Sequence, residues 1–143
     1  MNRSEEFLFV YGTLRRSIGH PRREVLDRHG KFVGKARFRG RLYLVRDFPG
    51  AVPSDDEEDR VAGELYRLRD PATVLKQLDR YEGYNPNNRK GSLFVRSMHP
   101  VELSNNGTGR AVEAWIYLYN RPVRQLQQIP SGDFLKYRSS DQS

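Results

Sequence analysis

The chain has 143 residues, 36% hydrophobic and 30% charged, which is enough for one domain with its own core and too little for two. It contains no cysteine, which excludes disulfides, thiolate nucleophiles and thiolate-bound zinc and fits a reducing cytoplasm. The net charge of +7 arises in residues 1–50, where 12 Lys and Arg face 5 Asp and Glu; this scatter reads as a solvated arginine-rich surface, with attraction of phosphates, RNA or an anionic small substrate as the alternative.

Glu6-Phe7-Leu8-Phe9-Val10-Tyr11 is an apolar, aromatic run closed by Gly12, the pattern of a first, central strand buried on both faces. Phe7 to Val10 is too short for the core of an export signal, and Glu5 and Glu6 stand where such a signal needs positive charge. Neither an export signal nor a membrane span is expected. Pro21 to Arg28 places proline at a first turn, Val25 and Leu26 as apolar residues and Gly30 as a stop, predicting a short helix. Phe32 to Val45 alternates loosely, and glycines at 34 and 40 suit a bent or bulged strand pair.

Asp55-Asp56-Glu57-Glu58-Asp59 follows Pro53 and Ser54 and reads as an exposed loop; a metal site would need spaced oxygen ligands around it. Val61 to Leu68 is strand-like. Asp70-Pro71 sets a cap residue before a proline at the first helical position, and the helix runs to Tyr81 with Gly83 as its stop. Asn85 to Gly91 is a turn-rich loop, followed by strand over Ser92 to Arg96 and again over Val101 to Leu103. In Arg110 to Tyr119, Ala114, Ile116 and Leu118 fall on one face and Trp115, Tyr117 and Tyr119 on the other, so both faces are expected to be covered. Residues 1–137 read as one domain and 138–143 as a polar, frayed tail.

His20, His29 and His99 lack metal-ligand spacing, and neither a Gly-x-Ser-x-Gly elbow nor a phosphate-binding glycine loop occurs. Chemistry is left to carboxylate, tyrosine, hydroxyl and backbone groups. Tyr11-Gly12-Thr13-Leu14-Arg15 stands where a buried strand ends. Its glycine lets successive N–H groups point into one concavity, as a chain does to bind a carboxylate, although Gly-Thr also serves as a plain turn. On the second helix, Leu75, Leu78 and Glu82 share a face, so the stripe facing the core ends in a carboxylate. Partial desolvation and the negative end of the helix dipole both raise the pKa of such a group. The same spacing suits a glutamate that merely pairs with an arginine. The Trp115, Tyr117 and Tyr119 face offers hydroxyls to a pocket or packs as core.

Together these segments are similar to those of one known family. Phe9-Val10-Tyr11-Gly12-Thr13-Leu14-Arg15 resembles the amino-terminal "VYGTLR" signature of the gamma-glutamylcyclotransferase-like superfamily. Gly40-x-Leu42-Tyr43 with Phe48-Pro49-Gly50-Ala51, Val61-x-Gly63-Glu64-Leu65-Tyr66, Leu78-Asp79-x-x-Glu82-Gly83-Tyr84, Phe94-x-Arg96, Ala114-Trp115-x-Tyr117-x-Tyr119 and Ser131-Gly132-Asp133-Phe134 resemble its later motifs in order and spacing. The likeness runs from Phe7 to about Phe134, especially to the small branch that includes gamma-glutamylamine cyclotransferase.

The resemblance implies an α+β fold, a small mixed β-barrel with helices packed outside and a polar cavity at one end. It also implies a small γ-glutamyl substrate, with its α-carboxylate held by the backbone N–H groups of Gly12, Thr13 and Leu14, Glu82 as the catalytic acid/base, and Tyr11 and Tyr117 as pocket residues. The expected product is 5-oxoproline, and no metal or organic cofactor is called for. A non-catalytic metabolite-binding module of the same fold is the alternative. RNA ranks last as a partner, because no recognition helix or basic stripe interleaved with aromatics occurs; the oligomeric state stays open. Phe94 and Phe134 stand where relatives often have Tyr and Trp, so hydrogen bonds from those rings are absent, which bears on substrate identity more than on reaction type.

Overall fold

A computed structural model describes residues 6–12, 24–104 and 110–141. In chain order the elements are β1 Phe7–Val10, α1 Glu24–His29, β2 Gly30–Phe38, β3 Gly40–Leu44, β4 Pro49–Pro53, β5 Val61–Leu68, α2 Pro71–Glu82, β6 Phe94–Leu103, β7 Ala111–Tyr119, β8 Gln127–Ile129 and α3 Phe134–Asp141. Strands β1, β5, β2, β6 and β7 pair antiparallel in that order, and the parallel pairing of β7 with β1 at Trp115 and Leu8 closes them into a barrel. The closure is short on two sides, since β2 meets β6 only at Glu102 and Leu103 and β1 meets β7 only at Leu8 and Trp115. β4, β3 and β8 form a second, antiparallel sheet. The fold is the α+β mixed barrel implied by the resemblance, and no helix among the described residues is long and apolar enough to cross a membrane.

The two-residue period of a strand sends alternate side chains into two cores. Phe9 of β1, Leu65 of β5, and Ala114, Ile116 and Leu118 of β7 point into the barrel, where Leu42, Ala51 and Ile129 of the second sheet and Phe134 of α3 join them. Leu8 and Val10 of β1, Tyr66 of β5 and Tyr117 of β7 point outward, against Leu26 of α1 and Val74, Leu75 and Leu78 of α2. This is why β1 is apolar at every position: each face has its own core. Burial of each large side chain is worth about 1.5–3 kcal/mol, so both faces of β1 are held firmly where it delivers the chain to Tyr11 and Gly12.

Four elements differ from the sequence reading. β4, to which the sequence reading assigned no element, begins and ends in proline and is an edge strand whose prolines occupy its ends. β6 is continuous through Pro100, because it pairs with β2 only from Glu102 onward and has a single neighbour at the proline. β8 has three residues, too few to show a period. α3 begins where Asp133 Oδ1 accepts the Leu135 N–H at 3.0 Å, and it extends to Asp141, past the point at which a tail was expected. Within Phe32 to Val45, the expected bulge falls between Phe32 and Gly34, and the two strands part into different sheets.

α2 starts at Pro71 as read, but Asp70 adopts a left-handed backbone conformation and its side chain makes no capping hydrogen bond. The helix stops because Gly83 takes φ 73°, a conformation that costs glycine little. Its N–H returns to the Arg80 carbonyl at 3.3 Å, and that of Tyr84 to the Asp79 carbonyl at 2.8 Å.

Candidate functional site

Where β1 ends, the chain meets the last turn of α2 and the turn joining β3 to β4, and together they enclose a cavity of about 460 Å³, a volume suited to a small molecule. Phe9 to Gly12 form one wall. Arg46, Asp47, Phe48 and Pro49 form a second, and Tyr81, Glu82 and Gly83 a third. Leu93, Phe94 and Tyr117 complete the lining. Phe94 is wedged between Phe48 and Tyr119, with ring centroids 6.1 and 5.8 Å away, so this part of the wall is apolar. Arg46 and Asp47 are exposed at the rim.

Glu82 is the last residue of α2. Leu75 and Leu78 anchor the same helical face in the outer core at 6% and 1% exposure, so the face that packs inward brings the Glu82 carboxyl to the cavity wall. The side chain is half-buried. Among the described residues none donates a hydrogen bond or an ion pair to it, so the arginine partner considered from spacing is not found there. Loss of water around the carboxyl pushes its pKa up from 4.5 to about 7.

Tyr11 and Tyr117 flank this group. Burial raises the pKa of both well above the ordinary tyrosine value, and the nearby Glu82 charge adds to the rise. Both stay protonated. The Tyr11 hydroxyl donates to the Tyr117 carbonyl at 2.5 Å and accepts the Ala51 N–H at 3.1 Å, tying β1, β7 and β4 together. The Tyr117 hydroxyl donates to Asp79 Oδ1 at 2.7 Å.

Asp79 is buried and lies one turn before Glu82 on α2. Its carboxylate also takes a fork from Arg96, Nε to Oδ1 at 2.8 Å and Nη2 to Oδ2 at 3.1 Å. Arg96 sits opposite Tyr117 in the β6–β7 ladder, and its guanidinium lies 4.4 Å from the centre of the Trp115 ring. A planar cation sandwiched in this way keeps one orientation.

The residues singled out in the sequence thus separate. Tyr11, Gly12, Glu82 and Tyr117 line one cavity, while Thr13, Leu14 and Arg15 lie outside the described residues. Trp115 covers Arg96, and its indole N–H donates to Glu6 Oε1 at 2.8 Å; Tyr119 packs on Phe94. Phe134 belongs to the barrel core, away from the cavity lining. In the acidic loop, Asp59 accepts from Arg41 Nε at 2.7 Å and Ser54 Oγ at 2.6 Å. The Asp79–Arg96 pair was not assigned a role from sequence. Its advance signals are Asp79 three residues before Glu82 and the appearance of both residues in the motifs Leu78-Asp79-x-x-Glu82 and Phe94-x-Arg96; the register that brings Arg96 to Asp79 is invisible in one dimension.

A family model described as gamma-glutamyl cyclotransferase, AIG2-like, matches residues 8–136. The gamma-glutamylcyclotransferase family protein YtfP of Escherichia coli K12 is 32% identical over 135 residues, covering 90% of this chain and 95% of that protein. The crystal structure of YkqA from Bacillus subtilis superposes with a TM-score of 0.70 at 23% identity, over 97% of this chain and 43% of that one. An AIG2-like protein from Mus musculus superposes at 0.62 and 22% identity, over 84% and 81% of the two chains.

Proposed function

We propose that this chain, which belongs to the gamma-glutamyl cyclotransferase, AIG2-like family, cleaves a small γ-glutamyl amide or peptide to 5-oxoproline and a free amine. The observation that carries this reading is a carboxyl with a pKa of about 7, at Glu82, on the wall of the cavity that Gly12 enters from β1.

A γ-glutamyl amide contains its own nucleophile. Its α-amine reaches its γ-carbonyl carbon and closes a five-membered ring, so the protein has to fold the substrate and move protons. Glu82 takes one proton from the α-ammonium, freeing the lone pair that attacks the γ-carbon. As the tetrahedral centre collapses, the bond from that carbon to the leaving nitrogen breaks, and Glu82 returns its proton to that nitrogen. The ring nitrogen sheds its second proton, which the released amine takes up. A base with a pKa near 7 is half-ionised at neutral pH and so serves both half-steps; such help is worth about 10² to 10⁴ in rate. The backbone following Gly12 is the place for the substrate α-carboxylate, and no step calls for a metal or organic cofactor.

The reading is tested by incubating the protein with γ-glutamyl amines, γ-glutamyl dipeptides and glutathione and measuring 5-oxoproline. Release is expected from at least one class, with Glu82→Gln abolishing turnover while retaining the fold. A binding module on the same fold would instead show saturable binding without product.

A further inference from the structure

We propose that the outer face of β2 binds single-stranded nucleic acid, with Lys35, Arg37 and Arg39 as a row of phosphate contacts and the Phe32 ring as a platform for one base. This face is separate from the cavity, whose lining includes none of these residues.

The sequence conceals the face. Phe32 lies an odd number of positions from Lys35, Arg37 and Arg39, so in a regular strand it would point to the side opposite theirs. For this reason no basic stripe with an aromatic beside it is legible in one dimension. The bulge between Phe32 and Gly34 changes the phase. Beyond it, Phe32 stands opposite Tyr66 of β5 and Lys35 opposite Glu64. Residues directly opposite share a face, and Tyr66 and Glu64 are two apart, so ring and cations come to the same side of the sheet. That side is the outer one. The alternate residues Ala36 and Phe38 are buried in the barrel core, whereas Lys35, Arg37 and Arg39 are exposed.

From Lys35 to Arg39 the row spans about 13 Å of extended backbone, with a cation every ~6.6 Å. A stacked strand rises roughly 3.4 Å per nucleotide, so the row meets every second phosphate. Among the described residues no ion pair engages these three side chains. Of the carboxylates on this side, Glu64 is buried and accepts the Tyr66 hydroxyl at 2.8 Å, and Asp59 is held by Arg41 and Ser54. Glu102 faces Arg37 across the short pairing with β6. Phe32 meets Tyr66 edge-to-face, with ring centroids 5.6 Å apart, and keeps 38% exposure. Charge alone would suit an acidic peptide or an anionic membrane equally. The exposed ring in line with the cations selects a strand with unpaired bases, whose phosphates take the row while a base stacks on the ring; a duplex keeps its bases stacked on one another and out of reach.

The test uses the full chain and a fluorescein-labelled oligouridylate, with its deoxy counterpart, read by fluorescence anisotropy at several salt concentrations. Both probes are expected to bind, with a slope of log affinity against log salt of about −2, from three phosphate contacts at about −0.7 each. Lys35→Gln, Arg37→Gln and Arg39→Gln should each make the slope shallower by about 0.7, and the triple variant should lose binding. Phe32→Leu, which keeps an apolar side chain without a ring, should weaken binding about fivefold or more at unchanged slope. Polyglutamate and phosphatidylserine vesicles should bind more weakly and ignore Phe32→Leu. Binding by the triple variant equal to wild type, no effect of Phe32→Leu, or equal affinity for polyglutamate or the vesicles would overturn the proposal. Circular dichroism of each variant separates loss of the face from loss of the fold; should Phe32→Leu fail to fold, the charge variants and the competing probes decide alone.

Discussion

Glu82→Gln should make the protein more stable, and by an amount that depends on pH. Lifting a carboxyl from 4.5 to about 7 means that the folded state holds the proton more tightly than the unfolded chain does. Below about pH 4.5 the group is neutral in both states and costs nothing. Between there and about pH 7 the unfolded chain ionises first, so stability falls by about 1.4 kcal/mol per pH unit. Above pH 7 the deficit is complete at about 3 kcal/mol, an upper bound because solvent reaches part of the side chain. Glutamine has nearly the same shape and never ionises. Urea unfolding at pH 5, 6, 7 and 8 should therefore show variant and wild type nearly equal at pH 5 and the variant ahead by about 1–3 kcal/mol at pH 8. A difference that is flat across this range, or a variant less stable at pH 8, would refute the claim that burial raises this carboxyl.

Tyr11→Phe leaves the Tyr117 carbonyl and the Ala51 N–H buried without the partner each now has, and should cost about 1–3 kcal/mol in denaturant unfolding. Gly63→Ala should cost about 2–3 kcal/mol and lower turnover, because a Cβ there overlaps the Val10 carbonyl and comes within 2.6 Å of the Phe9 ring, displacing the end of β1 that leads to the cavity; unaltered turnover would show that the position of β1 is not critical. Arg96→Ala strands a buried carboxylate at Asp79 and should cost about 3–5 kcal/mol, with the Asp79→Ala, Arg96→Ala double variant losing clearly less than the sum of the two.

Elements with a strong local pattern were legible in the sequence. β1, β5, β7 and α2 were located because their faces are buried with a regular period, and Gly83 marked the stop of α2 because only a left-handed residue ends the helix there. The inward side of α2 on which Glu82 lies was legible by the same logic, from its spacing to Leu75 and Leu78; its role as acid/base came only from the resemblance. Long-range features were less legible. β4 and β8 are short or proline-bounded and hold their place through β3, which a local pattern does not reveal. The role of Arg96 depends on its register opposite Tyr117 and on the distance from β6 to α2, both products of the closed barrel. Tyr11 read as a pocket residue, and it does line the cavity, yet its hydroxyl is occupied with partners 40 and 106 positions away in the chain.

The most direct measurement is the pH dependence of kcat/KM for 5-oxoproline release from γ-glutamyl-propylamide. The expected profile rises with a midpoint near 7, set by ionisation of Glu82 in the free protein, and turnover disappears in Glu82→Gln. A profile already at its plateau by pH 5.5, or substantial turnover remaining in Glu82→Gln, would contradict the assignment of Glu82 as the acid/base group.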